Sequence, residues 1–193
     1  INRFSNRGIA IWGVAGSNTI EGNFIGTDIN GSDNADFGNG VWGIEIYESD
    51  NNTLKGNIIS GNGWIDPPAG ANPGIAVHGG SAGNQITGNF IGTDRSGINT
   101  LPNRESAINI EESPENIIGG TNPEDRNIIF SGISLSGPGT VGCEITGNYF
   151  GVDVSGNSAL GEAGGISLGN QASKNEIDPG NVISGIQNGN PVY

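Results

Sequence analysis

Three strings in this chain are close copies of one another: Asn18-Thr-Ile-Glu-Gly-Asn-Phe-Ile-Gly-Thr-Asp28, Asn84-Gln-Ile-Thr-Gly-Asn-Phe-Ile-Gly-Thr-Asp94 and Cys143-Glu-Ile-Thr-Gly-Asn-Tyr-Phe-Gly-Val-Asp153. Three more share the core and end differently: Asn52-Thr-Leu-Lys-Gly-Asn-Ile-Ile-Ser60, Asn127-Ile-Ile-Phe-Ser131 and Asn175-Glu-Ile-Asp-Pro-Gly-Asn-Val-Ile-Ser184. Their central asparagines, Asn23, Asn57, Asn89, Asn127, Asn148 and Asn181, are spaced 34, 32, 38, 21 and 33 residues apart, a mean of about 32. A fixed period of this size is the signature of units that stack on one another, because a unit so small cannot close its own core.

A second motif keeps the same beat. Gly8-Ile-Ala-Ile11, Gly43-Ile-Glu-Ile46, Gly74-Ile-Ala-Val77, Ala107-Ile-Asn-Ile110, Gly132-Ile-Ser-Leu135 and Gly165-Ile-Ser-Leu168 alternate apolar with small or polar residues. Each reads as a short strand with one buried face. Composition agrees: 27 Ile and 36 Gly against 5 Leu and 11 Ala disfavour helices, since branched side chains and glycine suit strands and turns. The connections are too short and polar for crossover helices. The expected architecture is all-β, a parallel β-helix of about six coils, with paired strands about 4.8 Å apart and a stack about 30 Å long. Ile, Val, Leu and Phe fill its lumen. The six central asparagines are expected to form an internal ladder, each amide bonded to its counterpart in the next coil.

The Gly-Asn-Phe-Ile-Gly-Thr-Asp and Gly-Asn-Ile-Ile-Ser-Gly-Asn strings resemble repeats of right-handed parallel β-helix proteins with the pectin-lyase-like fold, of the type found in bacterial surface and secreted proteins. The resemblance covers essentially the whole chain. It implies a right-handed coil, as does the crossover rule for parallel strands, and it implies an extracellular or cell-surface location. It leaves function open, because that fold hosts lyases, hydrolases, epimerases, adhesins and structural fibres. Residues 1–193 read as a single β-helix domain, a segment or repeating unit of a longer assembly.

Charge narrows the partners. Seven basic and 20 acidic residues give a net charge of −13. A nucleic acid or an anionic membrane surface calls for clustered Lys and Arg, and this chain has two Lys and five scattered Arg. No apolar run approaches the roughly 20 residues of a membrane span. The single cysteine, Cys143, excludes an intrachain disulfide framework. It takes the place that Asn18, Asn52, Asn84 and Asn175 hold in sister units, where a small stacked side chain is expected.

The candidate chemistry is sparse. Asp28, Asp94 and Asp153 each open an Asp-x-polar-Gly string, which reads as a turn in which the carboxylate bonds nearby backbone N–H groups. The alternative is calcium, with Asp33 and Asp36 assisting Asp28. Lying in alternate coils about 10 Å apart, the three aspartates are expected to be too distant to share one ion. No other cofactor is implied. Glu111, Glu112, Glu115, Glu124 and Asp125 make an acidic patch read as a solvated loop. His78 is the only histidine, expected outward or in a turn, and Arg95, Arg104 and Arg126 look isolated. A complete active site is not legible. Trp12, Trp42 and Trp64 flank Gly-rich turns, where they either fill corners of the solenoid, the favoured reading, or form an exposed platform for sugar rings.

The leading expectation is therefore a non-catalytic extracellular structural or adhesive solenoid. The alternatives are a polysaccharide-active lyase or hydrolase, or a carbohydrate-binding module. Joining Asn181 through the chain end to Asn23 spans one coil length, so copies are expected to stack head to tail through Ile1, Phe4, Val192 and Tyr193. The partners expected are other copies of the chain and a polysaccharide.

Overall fold

A computed structural model of the chain describes residues 1–13, 16–33, 36–64, 72–161 and 163–185. Three parallel sheets of six strands each wind into a β-solenoid. The first sheet holds Ile9–Trp12, Ile44–Tyr47, Ile75–His78, Ile108–Glu111, Ile133–Ser136 and Ile166–Gly169. The second holds Thr19–Glu21, Thr53–Lys55, Gln85–Thr87, Ile117–Gly119, Glu144–Thr146 and Glu176–Ile177. The third holds Phe24–Ile25, Ile58–Ile59, Phe90–Ile91, Ile128–Ile129, Tyr149–Phe150 and Val182–Ile183. Each coil contributes one strand to every sheet, so six rungs span about five turns.

Register follows from the alternating pattern, because a slip of one residue would turn every apolar side chain outward. Ile9 pairs with Ile44, Ile44 with Ile75, Ile75 with Ile108 and Ile108 with Ile133. The lumen is thus built of like-on-like columns. Ile20, Leu54, Ile86, Ile118 and Ile145 line it from the second sheet, and Ile25, Ile59, Ile91, Ile129 and Phe150 from the third; all are buried. Fully burying one such side chain stabilises by about 1.5–3 kcal/mol.

Polar ladders edge these columns. Nδ2 of Asn23 donates to Oδ1 of Asn57 at 3.1 Å, Asn57 to Asn89 at 3.0 Å, Asn89 to Asn127 at 3.0 Å, Asn127 to Asn148 at 2.8 Å and Asn148 to Asn181 at 3.2 Å. The backbone N–H of each donor residue bonds the same oxygen. A second ladder runs through Asn18, Asn52, Asn84 and Asn116, and a third through Asn39, Asn62 and Asn103. The sequence predicts only the first of the three. Bonding of this kind lets the backbone turn a corner inside a dry core, where an unpaired amide would cost about 1–3 kcal/mol.

The long spacing of 38 has a local cause, and the short one of 21 follows because residues 130–132 alone link Ile128–Ile129 to Ile133–Ser136. Between Ile117–Gly119 and Ile128–Ile129 the fourth coil inserts a 3-10 turn, Pro123–Asp125. The two Asn-Ile-Ile strings of this coil serve different ladders, Asn116 the second and Asn127 the first. Gly26 sits at φ +86, and a Cβ there would run into the Ser60 carbonyl and the Asn62 amide. This corner needs glycine on both counts.

Candidate functional site

The inward–outward alternation of the first sheet also aligns what faces away from the core. In register, Ala10, Glu45 and Ala76 form one outward column, and Trp12, Tyr47 and His78 form the next. Arg7 and Trp42 precede the first two strands and lie one above the other, since the Gly8 N–H donates to the Trp42 carbonyl at 3.0 Å. Arg7, Trp12, Trp42, Glu45, Tyr47 and His78 together line an open cleft of about 300 Å³. Glu45 is buried, and its neighbours in the column are the small Ala10 and Ala76.

Glu45 is 2 % exposed and carries the charge that organises the cleft. Its Oε2 accepts from the Trp12 indole N–H at 2.6 Å, and its Oε1 lies 3.0 Å from His78 Nε2. Arg7 donates through Nη2 to Oε1 at 3.3 Å and through Nε forms an ion pair with Oε2. The Arg7 guanidinium lies 4.8 Å from the Trp12 ring centre and 4.7 Å from that of Trp42, within cation–π range of both. The His78 ring meets Trp42 edge-on at 5.8 Å and tilts against Tyr47 at 4.9 Å. The carboxylate accepts from the Trp12 indole and from Arg7 Nη2, pairs with the Arg7 charge and meets the His78 ring, and those contacts make its burial tolerable. Glu48 beside the Tyr47 hydroxyl, through a hydrogen bond and its charge, holds the phenol above its ordinary pKa.

The tryptophan reading is corrected in two ways. Trp12 is 54 % and Trp64 58 % exposed, so neither fills a corner. Nor do the three form one platform: Trp12 and Trp42 share the cleft, whereas Trp64 lies over Gly38 near the Asn62 corner. The indole of Trp12 is held at the surface by Glu45, a residue the sequence reading did not select. Arg7 was missed as well. The available signal was the residue following each Gly-Ile-x-Ile motif: aligning those strings one position further puts Trp12, Tyr47 and His78 in one column.

The aspartate loops are turns. Asp28 Oδ1 accepts from the N–H groups of Ser32 at 2.8 Å and Asp33 at 3.2 Å, and Asn30 Nδ2 donates to Oδ2. Asp94 Oδ1 accepts from the N–H of Ser96, Ile98 and Asn99, and Asp153 Oδ1 from those of Ser155 and Ser158. The Ser32 N–H chiefly lowers the pKa of Asp28, and the Ser155 hydroxyl that of Asp153. For Asp94 burial pulls upward, but the Asn99 amide and the Ser96 hydroxyl outweigh it and the pKa is again lowered. The loops bulge across the tighter intervening coils and stack directly, with the Arg95 N–H donating to the Gly31 carbonyl at 2.8 Å and the Val154 N–H to that of Gly97 at 3.1 Å. Asp36 adopts φ +60 in its own turn. Among the described residues, no group of three or more His, Cys, Asp and Glu side chains could hold a metal ion.

Cys143 is buried between Asn116 and Asn175, and its N–H donates to Asn175 Oδ1 at 2.9 Å. Burial pushes the thiol pKa up, the opposite of what a nucleophilic thiolate needs. Ile1 and Phe4, 43 % and 54 % exposed, lie beside the first rung: the Ile1 carbonyl accepts from the Gly26 N–H, and the Phe4 N–H donates to Asn39 Oδ1. Val192 and Tyr193 lie outside the described residues. No helix among the described residues is long and apolar enough to cross a membrane. Compared with known proteins, the chain matches no family model, no curated sequence and no solved structure.

Proposed function

We propose that this chain is a non-catalytic, adhesive β-solenoid of an extracellular or surface protein, and that the cleft on its first sheet holds a saccharide. The supporting observation is the outward column of Trp12, Tyr47 and His78, flanked by Trp42, on a face whose equivalent positions further along are Glu111, Ser136 and Gly169. A sugar ring presents an apolar C–H face that stacks on aromatic rings and a hydroxyl rim that bonds polar side chains. A small apolar cleft with a few convergent polar groups suits it. Glu45 is occupied by Trp12, Arg7 and His78 and is the one carboxylate that lines the cleft among the described residues, whereas glycoside hydrolysis works with two facing carboxyls. The negative net charge and the likeness of the repeats to those of bacterial surface proteins support the location.

The test is a glycan-array screen of the wild-type chain and Trp12→Ala, paired with a reducing-end assay on every glycan that binds. Binding that Trp12→Ala abolishes, with no new reducing ends, supports the reading. Turnover of a bound glycan would establish the enzymatic alternative.

The ladders favour one further part of the reading, the stacking of copies. From amide to amide along the ladder, donation runs from a lower to a higher rung, so a copy or a further coil meeting this one would keep that polarity, an N–H at Asn181 facing an Oδ1 such as that of Asn23. That geometry is head to tail and does not close on itself. Analytical ultracentrifugation over a wide concentration range tests it: growing linear oligomers support stacking, and a strict monomer opposes it.

A further inference from the structure

We infer that the cleft selects an uncharged saccharide over acidic or basic ones, an inference that rests on the saccharide-binding reading above. The two charged side chains that line the cleft, Arg7 and Glu45, are already spent on each other. Glu45, its side chain 3 % exposed, lies beneath the rings and takes Arg7 on both carboxylate oxygens. An arginine that recognises a carboxylate does so through its N–H edge. Here the Nε and Nη2 side of the fork is turned to Glu45, while the guanidinium lies over the Trp12 and Trp42 rings.

The opposite possibility, a cage for a cation, meets the same arrangement. Two indoles and a phenol around a buried carboxylate would suit an ammonium or guanidinium group, and Arg7 of this chain occupies that position. An incoming cation would have to evict it and take over its ion pair. His78 is engaged at Nε2 by the same carboxylate. At longer range, a net charge of −13 repels polyuronates. What the cleft offers outward is aromatic surface, with Trp12 54 % and Tyr47 37 % exposed. Stacking on that surface needs no charge on the ligand.

The test is calorimetric titration of the wild-type chain with oligomers matched in length and differing in charge, at low and high salt. Neutral cello-, malto- and chito-oligosaccharides are set against oligogalacturonate and against cationic glucosamine oligomers. At least one neutral oligomer should bind about tenfold or more tighter than either charged class, and its affinity should change by less than about twofold with salt. Two variants deepen the test. Glu45→Gln leaves the Arg7 charge uncompensated and should raise oligogalacturonate affinity about tenfold. The double change Arg7→Gln with Glu45→Gln, which removes both charges, should keep the preference for the neutral oligomer. Circular dichroism checks that both variants fold, and the wild-type panel decides the matter without them. Tighter, salt-sensitive binding of a charged oligomer would overturn the inference while leaving the saccharide reading in place. Failure of every oligomer, neutral or charged, would overturn both.

Discussion

Asn57 points two donors at one oxygen of Asn89: its backbone N–H at 2.9 Å and its side-chain Nδ2 at 3.0 Å both meet Oδ1 of Asn89. Asn89 in turn directs its own Nδ2 at the carbonyls of Leu54 and Thr87 and at Oδ1 of Asn127. An acceptor faces the lower rung, and a donor faces the upper rung and the strand ends. Only an amide supplies both at this size.

Asn89→Asp should therefore destabilise the chain by several kcal/mol, because a buried carboxylate oxygen would face three acceptors. Burial would raise the new carboxyl's pKa above its unfolded value near 3.9, so the penalty should shrink as pH falls toward that value. Urea melts at neutral and mildly acidic pH check both points. A loss under about 1 kcal/mol at neutral pH would mean that the ladder carries little of the stability.

Cys143→Asn should stabilise. In the second ladder Asn116 has a thiol above it where Asn52 and Asn84 find an amide oxygen. Restoring that oxygen adds about 1 kcal/mol, the net worth of a typical hydrogen bond, and should raise the urea midpoint. Cys143→Ala, which supplies no acceptor and opens a small void, should lower it.

Acid should weaken the fold through its loops. The pKa values of Asp28, Asp94 and Asp153 are all lowered in the folded chain. Groups shifted in that direction contribute stability above their unfolded pKa, and that contribution is lost as pH falls through the folded one. Thermal midpoints should therefore stay level down to about pH 4, the unfolded aspartate range, and fall below it. Asp94→Asn should flatten that fall, because the amide cannot titrate.

Glu45→Ala should cost about 3 kcal/mol, the order expected when one partner of a buried ion pair is removed, and should release the Trp12 indole. Chemical denaturation measures the cost. A red shift in tryptophan emission reports the release.

The fold was legible because it is a periodic object. Six variants of Gly-Asn-x-Ile and six of Gly-Ile-x-Ile announce the rungs, and the lumen repeats one chemistry at every level. The Asn39–Asn62–Asn103 ladder was not legible because its spacings, 23 and 41, depart from the period of about 32 and its residues belong to neither motif. The cleft was only partly legible for a related reason. Trp12 and Trp42 stand out by type, but Glu45 is one acid among 20, and Arg7 precedes its strand. What joins them is lateral register between coils, which a motif read along the chain shows only when the copies are laid side by side. The backbone contacts between the Asp28, Asp94 and Asp153 loops were not legible, because a ladder spacing describes strands, and loops can lean across a coil.

The central claim, that the Trp12–Tyr47 cleft receives a saccharide, is tested most directly by the indole N–H resonances. The chain has three tryptophans, two in the cleft and one outside it, so Trp64 serves as an internal control. On titration with a glycan that binds, the Trp12 and Trp42 signals should move with one common saturation curve while that of Trp64 stays in place. Saturation with the Trp12 and Trp42 signals unmoved, or movement of Trp64 alone, would contradict the account.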